Sequence, residues 1–195
     1  MPLYYMIFHE KIKQATQDAH QHLEKQVLQQ LKQIRHTEDY GVLLSKFYLY
    51  FSALEQQLAL FIDASTLPDY MERRKAQRLK DDLDAIGHPV PAPDAAISLP
   101  HIDNTAAALG ALYVMEGSVM GGSIIIKMLR EKRNIHEGLT FFGGYGADTG
   151  AMWQRFRESM NRQAADEASA QSMIDAANDT FNHFSILFHA HEQEA

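Results

Sequence analysis

The chain has 195 residues, of which 46% are apolar and 22% charged, with a formal net charge of −7 at pH 7. That length suits one domain over residues 1–195 with a sizeable core, and the composition excludes extended disorder. The acidic balance argues against a broad nucleic-acid surface. The absence of cysteine excludes disulfides, thiolate metal sites and cysteine nucleophiles.

Helical signals dominate. The segment from His9 to Arg35 is rich in Gln, Lys, Leu and Ala, which favour helix. Thr37, with Glu38 and Asp39 behind it, reads as the N-cap of a second helix running to Ile62. Pro68 fits the first turn of a third, ending near Ile86 with Gly87 as its C-cap. The stretch "HPVPAPDAAISLP" holds four of the six prolines and reads as a connector. Asp103 or Asn104 caps a long helix that continues to Arg130. "FFGGYGADTG" reads as a loop, and two further helices follow, over Gly150 to Gln163 and Asp166 to His189. No run shows strand alternation. The expectation is an all-α, single-domain bundle of six to eight helices. No apolar run approaches the roughly 20 residues of a membrane span. The N-terminal "MPLYYMIFHEKIK" lacks the marks of a signal peptide, so the cytoplasm is the expected location.

Ten histidines are candidate ligands. On the first helix the apolar stripe is Ile12, Ala15, Ala19, Leu23, Val27 and Ile34. At about 100° per residue, His20 falls roughly 50° from the centre of that stripe and His22 roughly 110° away. His20 can point inward at the stripe's edge, while His22 meets solvent. Glu24 lies one turn beyond His20 on the same side. There a carboxylate can accept the ring N–H and aim the other nitrogen at a metal; the plainer reading is a surface Glu beside a half-buried His. His189 and His191 sit where the C-terminus frays. No histidine has Glu three residues before it, and His-Glu-x-x-His is absent, so di-iron and zincin patterns are excluded. One inward histidine without a carboxylate cluster suits a prosthetic group that brings its own ligands, heme being the obvious case.

"ALYVMEGSVMGGSIIIK" (111–127) places Gly117, Gly121 and Gly122 inside one helix. Each costs roughly 0.5–1 kcal/mol relative to alanine. Gly110, Gly117 and Gly121 project within about 40° of one another. Gly122 falls off that line, where it would allow a bend. Two readings stand: close helix packing, or a flat ligand against bare backbone. Ser118 sits beside the groove.

At these residues the chain resembles the heme oxygenase family. "KIKQATQDAHQHLE" is similar to the family's N-terminal helix, with a Lys, an Ala-Thr pair, the proximal His and a Glu one turn later. "YVMEGSVMGG" resembles the glycine-bearing distal helix of the bacterial, biliverdin-producing members. "WQRFRESMN" and "AANDTFNHFSILF" resemble two later helices, one with a basic residue near the propionates and one with aromatics beside the heme. The four blocks keep the family's order over nearly the whole chain.

The resemblance implies His20 as proximal iron ligand, oriented by Glu24. It implies Gly117, Ser118 and Gly121 over the distal face, with Gly122 allowing flexion. It implies Lys13 and Arg157 at the propionates, Tyr113 near the heme edge or a propionate, and Phe181 and Phe188 lining the pocket. The animal enzymes carry Asp where this chain has Ser118, and some members carry a basic residue where it has Gln17. Tyr48 and Tyr50 are candidates for a partner tyrosine. The implied reaction opens heme to biliverdin, CO and ferrous iron, using O2. No dinucleotide-binding glycine turn is present, so electrons would come from an external reductase or ferredoxin. Biliverdin would supply an acceptor such as a phytochrome, or the reaction would serve iron acquisition. The alternative is a heme carrier or sensor of the same fold without turnover.

Overall fold

The computed structural model describes residues 4–189 except Arg74, with side chains from Phe8 onward; His191 lies outside them. The expected N-terminal helix is two helices, α1 (Tyr4–Ala15) and α2 (Gln17–Gln33). Thr16 makes the break, with its backbone at φ −105° and ψ 1°. Its hydroxyl donates to the Ile12 carbonyl at 2.8 Å, as its amide does at 3.0 Å. Such back-bonding by threonine bends a helix. The His20 amide still reaches the Thr16 carbonyl at 2.9 Å, so the inward stripe continues across the bend. Ile12, Leu23, Val27 and Ile34 are buried as expected. Ala15 is exposed, and Thr16 takes its buried place.

α3 (Thr37–Leu58) starts one residue past His36, which is its N-cap in place of Thr37. The Asp39 carboxylate accepts from the Arg35 and His36 amides at 2.8 and 3.1 Å and fixes that start. The helix stops short of Ile62, in turns from residue 59. The third expected helix is much shorter than the sequence pattern suggested. Pro68 lies among turns, a single 3-10 turn covers Tyr70–Glu72, and α4 spans only Gln77–Ala85. Arg73 is the reason: it is drawn into the interior by carboxylates, with extended backbone at φ −72° and ψ 151°. α4 does end at Gly87, where φ is +67°. The His88 amide bonds the Leu83 carbonyl and the Gly87 amide that of Asp84, a closure that favours glycine.

The connector over 88–100 is non-helical, as its prolines require. α5 (Thr105–Arg133) begins at Asn104, whose side chain accepts from the Ala107 amide at 2.9 Å. α6 (Thr149–Gln163) and α7 (Glu167–His189) complete an all-α bundle of seven α-helices, with no strand among the described residues. α5 is, by length and composition, apolar enough to cross a membrane, contrary to the run-based expectation. More than half of that stretch is buried inside the protein, as in a core helix.

α5 and α7 share the largest helix interface. A Cβ on Gly110 would collide with the Met173 carbonyl, so the two backbones meet there. Gly110 therefore belongs to helix packing rather than to a ligand groove. α3 threads the core beside α7: the Tyr50 hydroxyl donates to the Thr180 carbonyl at 3.0 Å, and its ring stacks on Phe184 at 4.7 Å.

Candidate active site

A cleft of about 430 Å³ lies between the α1–α2 arm and α5. Its size falls in the usual range for small-molecule sites. One wall is the arm's stripe of His9, Lys13, Thr16, His20, Glu24, Val27 and Leu31. These residues recur every three or four positions, so one helical face carries them all. The opposite wall is α5, with Tyr113, Gly117, Ser118 and Gly121. Phe47 and Phe51 of α3, Phe142, and Phe181 and Phe184 of α7 add aromatic lining.

His20 is exposed to this cleft, its ring leaning on Phe181 with centroids 5.4 Å apart at 53°. Glu24 lines the same cleft one turn on. His22 is exposed outside the lining and touches the His189 ring at 5.8 Å. On the facing wall, a Cβ added to Gly117 or Gly121 would meet nothing within 4 Å. Neither glycine is required by packing, and both leave backbone open to the cleft. The Ser118 hydroxyl donates to the Met115 carbonyl at 2.6 Å. Tyr113 packs on Trp153 at 5.8 Å and shares a hydrogen bond with Thr16; burial raises its phenol above the ordinary value.

Five expected residues sit elsewhere. A Cβ on Gly122 would strike the Phe142 carbonyl, so this glycine admits the 139–144 loop rather than a ligand. Phe188 lies under the Lys46 ammonium at 5.0 Å and against Phe184 at 5.3 Å, outside the cleft lining. Arg157 is likewise outside the lining, although its charge acts on His9. Tyr50 is fully buried in the core and Tyr48 half-buried, neither lining the cleft.

Sequence reasoning missed His9, Thr16 and Trp153. For His9 the signal was present: it precedes Lys13 by four residues on the face that leads to His20. Trp153 carried none, because its place depends on how α6 crosses α1. Also missed was the support behind Gly117. Glu116 is 2% exposed and accepts from Arg73 Nη1 at 2.7 Å and from the Tyr145 hydroxyl at 2.8 Å. Arg73 also donates to Asp69, through Nε at 2.9 Å and Nη2 at 3.0 Å, and to the Met152 carbonyl at 3.0 Å. Arg155 Nε adds a bond to Asp69 at 2.8 Å. Burial works against the Asp69 charge, but the bonds from Arg155 and Arg73 outweigh it and hold the carboxyl below the usual range. This network ties α5, α6 and the 69–73 turn together one residue from the bare wall. A second anchor, buried Asp82, accepts from the Thr140 and Phe141 amides at 2.9 and 2.8 Å. It fixes the loop whose Phe142 lines the cleft.

Fold and cleft together define an all-α protein with an open, aromatic-lined slot, one wall bearing a histidine and the other bare glycine backbone. The sequence model of the heme oxygenase family matches residues 6–190, and the chain belongs to that family of enzymes. It is 30% identical to the "Heme oxygenase" of Xanthomonas campestris pv. campestris (strain 8004), over 75% of this chain and 87% of that protein. It is 28% identical to "Heme oxygenase 1" of Synechocystis sp. (strain ATCC 27184 / PCC 6803 / Kazusa), over 77% of this chain and 70% of that one. Its fold resembles the NO- and CO-bound heme oxygenase from Neisseria meningitidis, with a TM-score of 0.77 at 20% identity, covering 94% of this chain and 90% of that one. It also resembles heme oxygenase-1 from Synechocystis sp. PCC6803 in complex with heme, with a TM-score of 0.74 at 24% identity, covering 95% and 92%.

Proposed function

We propose that this chain binds heme in the cleft and opens it oxidatively to biliverdin, CO and ferrous iron, with O2 and electrons from a separate reductase or ferredoxin. The observation that carries the reading is the pairing of two walls: His20 on one, open Gly117 and Gly121 backbone on the other. A flat macrocycle fits between them, because no side chain stands on the glycine face. The residues present suit the group: a histidine for the metal, apolar and aromatic lining for the ring, and Lys13 for a carboxylate.

Heme supplies the metal at which O2 is reduced and is itself the ring that is cleaved. The chain's part is positioning. His20, leaning on Phe181, offers one ring nitrogen to the metal, and Glu24 one turn on accepts from the other, directly or through water. A neutral imidazole would hold the metal with less electron push than a thiolate. Gly117 and Gly121 leave room for backbone amides and water above the ring. They also keep oxidisable side chains away. Ser118, bonded to the Met115 carbonyl, is the polar side chain next to them. Lys13 holds a propionate, and Arg157 adds positive charge at the same end, which sets the ring's rotation and hence the meso carbon attacked. The cytoplasm is the proposed location, where a reductant is at hand and a biliverdin acceptor such as a phytochrome would take the product.

The test is anaerobic reconstitution with heme, followed by O2 and a reductant. Wild type should bind heme with a Soret band and yield biliverdin. His20→Ala should shift that band and lose turnover by more than the roughly 10–100-fold that losing a partner behind a metal ligand costs. Normal heme binding with no biliverdin would overturn the enzymatic reading in favour of a carrier or sensor.

A further inference from the structure

At the end of the cleft reached by α1, His9 lines the wall four residues before Lys13. Its ring meets Trp153 of α6 edge-on, with centroids 6.0 Å apart at 75°. Its Nδ1 is buried without a hydrogen-bond partner among the described residues, and so is Nε of nearby Arg157. A buried donor or acceptor left unmade costs about 1–3 kcal/mol. Of the two residues His9 belongs to the cleft lining and Arg157 does not, so the unmet nitrogen of His9 marks a place where a ligand or ordered water completes the bonding.

The charges there are also unbalanced. Burial holds the His9 imidazole below its ordinary value, the Arg157 and Lys13 cations push it further down, and only Glu10 opposes them. Tyr113 of α5, which shares the Trp153 contact, is a further titratable side chain at this end, and burial keeps its phenol neutral. Beside two cations, and with Glu10 the one carboxylate acting on it, the histidine is favoured in its neutral form until a further anion arrives. An ionised carboxylate within about 4–6 Å moves such a group's titration upward by about one to three pH units.

We infer that His9 is a further carboxylate-binding residue of this cleft, which takes up a proton when a dianionic tetrapyrrole enters and so helps to set the rotation of the ring. The inference rests on the proposed heme site and adds to it a residue and a measurable proton. His9, Lys13 and Arg157 then form one cationic end. The proton comes from solvent, so binding to the wild type consumes it and weakens as pH rises.

The test uses metal-free protoporphyrin IX, which leaves His20 no metal to bind, and His20 is the same in wild type and variant, so it cancels in their comparison. Calorimetric titration at pH 7.5 in buffers of different ionisation enthalpy gives the protons taken up. Wild type should take up a proton in whole or in part on binding porphyrin, as linkage requires for one group whose titration moves toward or past the assay pH. His9→Gln keeps a hydrogen-bonding side chain but cannot titrate; it should bind with lower uptake than wild type. The His9 ring resonances of wild type, followed by NMR against pH, should titrate below the ordinary histidine range without porphyrin and above it with porphyrin. That measurement needs no variant to fold. With heme, His9→Gln should also broaden the mixture of biliverdin isomers. Tight binding with equal uptake in both proteins would overturn the role of His9 and leave the heme reading standing. No binding of heme or porphyrin by wild type would overturn both.

Discussion

Gly121 offers a test in which stability and function move in opposite directions. A Cβ at this position meets nothing within 4 Å, whereas one at Gly122 collides with the Phe142 backbone. On helix propensity alone, Gly121→Ala should stabilise the heme-free protein by about 0.5–1 kcal/mol. For a chain of this size that is a rise in Tm of about 1–4 °C. Gly122→Ala should lower Tm, because overpacking against backbone costs about 1–3 kcal/mol. Gly121→Leu puts a branched side chain where a flat ligand would need to lie within about 4 Å of the helix. Heme affinity should fall at least about tenfold, or about 1.4 kcal/mol, with helix content unchanged. Thermal scans of the heme-free proteins and Soret titrations read the two effects separately. If Gly121→Ala raises Tm while Gly121→Leu binds and turns over heme like wild type, the open glycine face is not the heme face.

The polar support behind that wall gives two further expectations. Glu116→Gln leaves Arg73, whose side chain is fully buried, facing Asp69 alone. The loss should be about 3 kcal/mol, the low end for a broken buried pair, read as a lower urea midpoint at constant slope; a loss under about 0.5 kcal/mol, typical of surface substitutions, refutes the network's role. Asp69 titrates below its unfolded value of about 3.9, so the unfolded chain takes up that proton first as pH falls. Its contribution is present above about pH 4 and is lost as pH drops through the native value. Asp69→Asn should flatten the acid arm of the stability curve below pH 4; an arm as steep as that of wild type would contradict the assignment.

Much was legible before folding. The N-terminal stripe, a cap at Asp103 or Asn104, the Gly87 stop and the prolines of the connector follow from local rules of period, capping and backbone freedom. Local rules also separated His20 from His22, since angle around a helix decides which side chain faces the interior. They failed where partners lie far along the chain. Pro68 reads as a helix start, yet Arg73, pulled inward by Asp69 and by Glu116, 43 residues away, takes extended backbone and breaks the helix there. The bend at Thr16 was hidden because threonine back-bonding is optional.

The glycines show the division most plainly. The sequence by itself determined that α5 carries four of them, with Gly110, Gly117 and Gly121 on one face. It could not divide them by role, because a helical projection records direction and not what stands there. Tertiary structure decided that Gly110 meets the Met173 backbone, Gly122 the Phe142 carbonyl, and Gly117 and Gly121 open space opposite His20. The same limit hid His9: its place on α1 was fixed by sequence, but Trp153 and Arg157 reach it only through the crossing of α6 over α1. Burial and charge at a cleft are sums over separate segments, and no single segment contains them.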